Sequence, residues 1–156
     1  MRIILTLVTL LLLSACSDEY SEAAAKIDKT ETLTSQQEHS KRWYSAEDVK
    51  QGQIIFSQNC ASCHGDKAQG IVKDWKQALD NGKYPAPPLN GSAHAWHHPL
   101  KMLNRTIEQG GIRLGGTMQG FNHKLTQEQR LQAIAYFQDF WPDKTYQIWL
   151  DRDGLK

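Results

Sequence analysis

The sequence predicts an all-α fold in which three main helices form one small domain. Three segments carry apolar residues at helical spacing, and two of them begin with the pattern of a capping box. No segment alternates apolar and polar residues as a half-buried strand does, and no βαβ pattern or internal repeat occurs. These observations together favour helices packed on helices.

The first helix is predicted over about residues 46–58. Ser45 and Asp48 have capping-box spacing, in which each side chain accepts a hydrogen bond from the backbone of the other residue. The residues that then recur at helical spacing are Val49, Gly52, Ile55 and Phe56.

The second helix is predicted from Pro99 to about Gln109. Proline fits the first turn of a helix, because its missing N–H would have no partner there. One face of this helix carries Leu100, Leu103 and Ile107. A long loop precedes it, with turn signals in Asp80-Asn81-Gly82 and in the proline-rich segment 84–88.

The third helix is predicted from Thr126 to about Trp141. Thr126 and Gln129 form a second capping-box pattern, and Pro142 ends the helix because it cannot continue the hydrogen-bond ladder. Its apolar positions are Leu131, Ile134, Ala135, Phe137 and Phe140. The segment DKTYQIWLDR after it predicts a short additional helix.

Composition excludes some classes of protein. The chain has 156 residues, a net charge of +1 and 40% hydrophobic residues. Because the charges nearly balance, the sequence lacks the excess of lysine and arginine that is typical of nucleic-acid-binding proteins. The hydrophobic fraction is enough for a modest core but low for an integral membrane protein.

The N-terminus predicts export and lipidation. Arg2 precedes the apolar run Ile3–Leu13, which has the length of a signal-peptide core and is too short to span a bilayer. The run ends in Leu-Ser-Ala-Cys, which resembles a bacterial lipoprotein box with Cys16 as the lipidated residue. The alternative is an ordinary secretory signal with a cysteine beside small residues.

Three regions are therefore predicted. Residues 1–15 form a lipoprotein signal peptide, residues 16–43 form a lipidated and largely disordered tether, and residues 44–156 form the folded domain. The tether is rich in Ser, Thr, Glu and Gln, so it cannot bury enough apolar surface to offset the entropy of ordering.

The segment CASCH, residues 60–64, carries the main chemical signal. Two cysteines at this spacing can form a redox disulfide, hold half a zinc site, or attach a haem, and the adjacent histidine favours haem. A second cysteine pair for zinc is missing, and a thioredoxin-like motif needs a parallel sheet that the pattern does not predict. Attachment would use one thioether at Cys60 and one at Cys63, with His64 as an iron ligand.

The order of motifs resembles class I c-type cytochromes over about residues 46–141: helix, CxxCH, proline-rich loop, helix, methionine loop, C-terminal helix. That family has Gly-Pro-x-Leu-x-Gly after the haem motif, and Ala86-Pro87-Pro88-Leu89-Asn90-Gly91 departs from it only at Ala86. The resemblance implies that the Pro87 carbonyl accepts a hydrogen bond from His64, which raises the basicity of the ligand, and that Leu89 packs on the ring.

The resemblance also implies a methionine as the second axial ligand. Met118 lies in GGTMQGF, close to the Met-x-Gly-Phe loop of the family, where glycines let the backbone pass close to a flat ring. Met102 is expected to be a core methionine, the histidines before the second helix to cap it or lie on the surface, and His123 to face solvent. The other candidates for the second axial ligand are Met102, His94, His97, His98 and His123.

Polar groups are expected to hold the haem propionates, because buried carboxylates need donors or counter-charges. The candidates are Tyr84, Trp96, Arg105 and Arg113. Lys73, Lys76 and Lys83 lie in the loop and either steer an acidic redox partner or are simply solvated.

The resemblance implies an electron carrier, not an enzyme. With His64 and Met118 bound to one covalent haem c, iron has no open position, and methionine ligation raises the reduction potential. The expected partners are redox proteins, either a membrane respiratory complex or a periplasmic oxidoreductase, and the membrane through Cys16. The expected location is the periplasm or the cell exterior. The alternatives are a haem enzyme or gas sensor with a displaceable sixth ligand, and a thiol-redox module.

Overall fold

The structure is a computed structural model that describes residues 41–156. Cys16, the predicted signal peptide and most of the predicted tether lie outside the described residues. Residues Arg42–Lys156 form one compact unit.

Five α-helices make up this unit, in agreement with the predicted all-α class. In chain order they are α1 (Ala46–Asn59), α2 (Ala61–His64), α3 (Leu100–Gln109), α4 (Gln127–Asp139) and α5 (Asp143–Asp151). Two 3-10 turns, Ala95–His97 and Ile112–Leu114, lie in the connections. Within residues 41–156 no strand forms, and one isolated bridge joins Tyr84 to Gly116.

Local sequence signals set the helix ends. Both predicted capping boxes form, with Ser45 capping α1 and Thr126 capping α4. Pro99 occupies the cap position of α3 rather than its first turn, so that helix begins at Leu100. The short helix predicted after Pro142 is α5.

Helices α1 and α4 pack closely because a glycine stands at their contact. A Cβ built on Gly52 would lie only 2.0 Å from the carbonyl oxygen of Gln132, so no larger residue fits between the two backbones. One turn further along, the rings of Phe56 and Tyr136 lie 5.2 Å apart. This contact fixes the end of α1, where CASCH begins.

The residues just before α1 fasten it to the C-terminal helices. Trp43 donates from its backbone N–H to the Tyr146 hydroxyl at 2.9 Å and from its indole to the side-chain oxygen of Gln138 at 2.6 Å. Arg42 pairs with Asp143 at 2.7 Å and lies over the ring of Tyr146. Because Tyr146 is buried, α5 becomes part of the core.

None of the helices in residues 41–156 combines the length and the apolar character that crossing a membrane requires.

Candidate functional site

The CASCH segment forms the corner between α1 and α2. Cys60 ends α1, and its carbonyl oxygen accepts from the backbone N–H of Cys63 at 3.1 Å and of His64 at 3.0 Å. This single turn presents both thiols and the imidazole from one short stretch. The two cysteines are not joined by a disulfide bond; Cys60 is half-buried and Cys63 is exposed.

His64 is buried and oriented by one hydrogen bond. Its Nδ1 lies 2.9 Å from the carbonyl oxygen of Pro87. A carbonyl only accepts, so Nδ1 carries a proton, and in the neutral ring Nε2 then has the lone pair. Burial lowers the pKa of His64 below the usual histidine value, and the bond to Pro87 offsets this only in part. The ring is therefore neutral at pH 7 and able to bind a metal through Nε2.

The loop that carries Pro87 is held against the segment after CASCH. The backbone N–H of Leu89 donates to the Ala68 carbonyl at 2.7 Å, and the Trp141 indole donates to the Leu89 carbonyl at 2.7 Å. Ala68 has a φ of 55°, an uncommon conformation for a residue with a side chain, and it is fully buried. Leu89 itself is half-buried against the core.

The methionine loop crosses directly over the end of α3. A Cβ on Gly110 would lie 2.7 Å from the Met118 carbonyl oxygen, and one on Gly120 would lie 2.8 Å from the Glu108 carbonyl oxygen, so both positions require glycine. The Gly111 N–H donates to the Met118 carbonyl at 2.9 Å. Met118 is half-buried and packs against the cluster of buried hydrophobic side chains that forms the core.

Met102, expected in the core, is instead 42% exposed on the surface of α3. That helix buries Leu103 and Ile107, and Met102 lies one position before the buried stripe. The interpretation of Met102 as a core residue was wrong. His123 is exposed, as expected.

The histidines before α3 do not cap that helix. Pro99 holds the cap position without a side-chain hydrogen bond, so of the two expected roles, capping or a surface position, the structure shows the second. His94 stacks on Trp75 at 5.1 Å, and His98 meets His94 edge-on at 5.6 Å. His94 and His97 are exposed and His98 is half-buried, which places the cluster at the surface.

Of the expected propionate donors, Tyr84 lies at the methionine loop, where its N–H donates to the Gly115 carbonyl at 3.0 Å. Trp96 stacks on His97 at 3.8 Å, and Arg105 donates to the Gln109 side chain at 3.3 Å. Arg113 is exposed in the 3-10 turn next to the methionine loop.

The surroundings of Cys60 disfavour its thiolate form. Burial, together with the neighbouring Cys63, raises the pKa of Cys60 to about 11, although Lys124 acts in the opposite direction. Disulfide-exchange motifs lower this pKa to make a thiolate. In residues 41–156, no group of three or more His, Cys, Asp or Glu side chains is placed so that it could hold a metal ion.

Sequence reasoning missed the groups that hold the site together. Besides Trp141, the Tyr136 hydroxyl donates to the Asp66 carbonyl at 2.7 Å, directly after CASCH. Both are aromatic residues of α4 or its end, where the helical pattern predicts only core packing. The signal available in the sequence was that tryptophan and tyrosine each carry one hydrogen-bonding group on an apolar ring.

Comparisons with known proteins place the chain in a family. No curated protein matches it significantly. A solved structure, cytochrome CL from the marine methylotrophic bacterium Methylophaga aminisulfidivorans MPT, is similar to the chain at 22% identity, with 71% of this chain and 67% of that chain covered and a TM-score of 0.49. The family model for cytochrome c oxidase, cbb3-type, subunit III matches residues 47–137. Since that match spans more than half of the chain, the chain belongs to this family and contains a monohaem c-type cytochrome domain, which binds haem and carries electrons.

Proposed function

We propose that the domain carries single electrons between redox partner proteins through one haem c, attached by Cys60 and Cys63 and ligated by His64 and Met118. The hydrogen bond from His64 Nδ1 to Pro87 is the observation that carries this proposal. It orients the imidazole and leaves Nε2 as a basic ligand, which is the usual arrangement of a metal-bound histidine.

The donor set of the chain fits a haem. Two free thiols and a neutral imidazole lie on one turn, and the thioether of Met118 packs against the same core cluster as Cys60. Thiols at this spacing match covalent attachment, and nitrogen with thioether is the ligand pair of many cytochromes. Haem supplies an iron that alternates between ferrous and ferric, and the protein supplies orientation, burial and exclusion of other ligands.

Met118→Leu is expected to abolish the far-red sulfur-to-iron absorption band of the oxidised protein and to lower its reduction potential. Leucine keeps the apolar volume but has no sulfur to coordinate iron, and loss of a thioether ligand disfavours the ferrous state. Optical spectra and redox titration of the purified protein measure both effects.

Met102→Leu is the matched control, because Met102 is an exposed methionine on α3. Its far-red band should equal that of the parent protein. A band that survives Met118→Leu and disappears in Met102→Leu would contradict the ligand assignment. Rapid carbon monoxide binding by the reduced parent protein would favour a ligand sensor or enzyme over a carrier.

Trp141→Phe is expected to cost about 1–3 kcal/mol of stability and to raise the reduction potential. The ring stays apolar, but the Leu89 carbonyl loses its donor. A looser Leu89 loop weakens the bond between Pro87 and His64, and a less basic imidazole stabilises ferric iron less. Thermal denaturation and redox titration measure the two quantities.

Trp149→Phe is the control for this variant, since the buried Trp149 indole donates in the same way to the His98 carbonyl at 2.8 Å. It should lose similar stability and keep the parent potential. Equal potentials in the two variants would refute a positioning role for Trp141.

We also propose that the protein is exported, anchored through lipid on Cys16, and faces the periplasm or the cell exterior. The N-terminal sequence pattern supports this. Its electron donor and acceptor would be a membrane respiratory complex or a periplasmic oxidoreductase. The proposed propionate donors remain Tyr84, Trp96, Arg105 and Arg113.

A further inference from the structure

A buried arginine, Arg130, joins three segments of the fold. It lies near the start of α4, it is 6% exposed, and it belongs neither to the proposed haem ligands nor to the expected propionate donors. Its guanidinium donates from Nε to the side-chain oxygen of Asn104 at 2.9 Å, from Nη1 to the Leu125 carbonyl at 2.8 Å and from Nη2 to the Glu108 carboxylate at 3.1 Å. A buried cation is costly unless it is paired and hydrogen-bonded, and these three contacts meet that requirement.

Two of these contacts reach α3 at the end where the methionine loop lies. Asn104 and Glu108 are four residues apart, so their side chains share one face of α3. The backbone carbonyl of Glu108 accepts from the Asn122 N–H at 3.2 Å, and the Ile107 carbonyl accepts from the Phe121 N–H at 2.9 Å. Glu108 therefore holds the guanidinium with its side chain and the chain just after the methionine loop with its backbone.

The third contact fixes the point at which the chain from the methionine loop enters α4. Leu125 is buried directly before the Thr126 cap, and its N–H donates to the Phe121 carbonyl at 2.9 Å. Because Arg130 donates to the Leu125 carbonyl, both polar backbone groups of this buried residue have partners. The guanidinium is thus bonded to the helix on which the segment after Met118 lies and to the residue at which that segment ends.

We propose that Arg130 is a positioning residue for Met118, which holds the methionine loop against α3 and so keeps the thioether at the haem iron. This inference rests on the proposed ligation by His64 and Met118. A thioether carries no charge and is only a weak acceptor, so the surrounding fold must hold it in place. Arg130 acts through the loop, because its three partners all lie on α3 or at the end of that segment.

A purely structural role would give a different result, and a second arginine of the same chain supplies the comparison. The Arg42 side chain is 11% exposed, and it donates to the Trp141 carbonyl at 3.2 Å and to the Asp143 carboxylate at 2.7 Å. Neither contact involves α3 or the methionine loop. Loss of the Arg42 contacts should therefore lower stability without releasing the proposed methionine ligand.

Carbon monoxide measures the release of Met118. Ferrous haem with both axial positions filled binds carbon monoxide only after one ligand leaves, so the rate at saturating carbon monoxide equals the rate of ligand release. Stopped-flow absorbance of the reduced, detergent-solubilised full-length holoprotein gives this rate. The far-red band of the oxidised protein and thermal denaturation are measured on the same samples.

Arg130→Leu is expected to release Met118 about tenfold faster than the parent protein and to weaken the far-red band, because leucine fills the space but donates to none of the three partners. Arg130→Lys keeps the charge without the forked donor geometry, so its rate should lie between those two. Asn104→Ala removes one partner and leaves the ion pair, and it should accelerate release about threefold. Arg42→Leu, the matched control, should lose stability and keep the parent rate.

Equal carbon monoxide rates in Arg130→Leu and Arg42→Leu would overturn the proposal, while the far-red band of the parent protein would leave the proposed ligation intact. If Arg130→Leu gave no folded holoprotein, the Asn104→Ala rate would decide, and a parent-like rate in that variant would also overturn the proposal. A parent protein that lacked the far-red band would instead remove the proposed ligation, and the positioning role of Arg130 with it.

Discussion

Gly52→Ala should destabilise the protein by about 3 kcal/mol, because the added methyl group has no room between α1 and α4. A Cβ at this position would stand 2.0 Å from the oxygen and 2.7 Å from the carbon of the Gln132 carbonyl group. Both are backbone atoms of a packed helix, so they cannot rotate away as a side chain does. Helices α1 and α4 must therefore move apart to accommodate the methyl group.

The expected loss of stability is opposite in direction to the usual effect of a glycine-to-alanine substitution in a helix. In an open helix the same substitution stabilises by about 0.5–1 kcal/mol, because alanine loses less backbone entropy on folding than glycine. The steric cost of the added methyl group must therefore be larger than this gain in stability. Thermal denaturation should show a melting temperature about 15 °C lower than that of the parent protein.

Gln53→Ala is the control, since Gln53 is the exposed neighbour of Gly52 on the same helix. It should change stability by less than about 0.5 kcal/mol. If Gly52→Ala melted at the parent temperature, the close α1–α4 contact would be refuted. Because α1 ends at CASCH and Tyr136 of α4 bonds to the Asp66 carbonyl, the variant should also hold less haem.

The helices could be predicted because the signals that define them are local. Ser45 with Asp48, and Thr126 with Gln129, specify helix starts within four residues, and the structure contains both capping boxes. Pro142 likewise ends α4 through its own geometry. CASCH is also local, so the position of Cys60, Cys63 and His64 at the end of the first helix followed from sequence.

Other features depend on contacts between distant segments. Nothing near residue 89 in the sequence indicates that the indole of Trp141 bonds to its carbonyl, because that contact is made by the fold. The position of Met102 was predicted wrongly for a related reason. Helix α3 buries only a narrow stripe of side chains, and Met102, one position before the buried Leu103, faces solvent. The stacking of His94 on Trp75 also joins two loops that no periodic pattern relates.

The double variant Cys60→Ala/Cys63→Ala is expected to lose all covalently bound haem. Each cysteine is proposed to form one thioether bond, which survives denaturation, so a single variant should keep haem on a denaturing gel and the double variant should not. Haem staining of the gel measures the result. Ser62→Ala, an exposed position between the two cysteines, should stain like the parent protein.

Counting thiols separates the remaining interpretations. The chain has three cysteines, and the proposals use all of them, Cys16 for lipid and the other two for haem. Denatured and reduced holoprotein should therefore show no titratable thiol, because thioether bonds resist the reductants that open disulfides. A thiol-redox module would release the thiols of Cys60 and Cys63 under the same treatment, and an unlipidated Cys16 would release its own. Free thiols at both Cys60 and Cys63 in the reduced parent protein would contradict haem attachment, whereas a single thiol located at Cys16 by mass spectrometry of the labelled peptides would contradict only the lipid anchor.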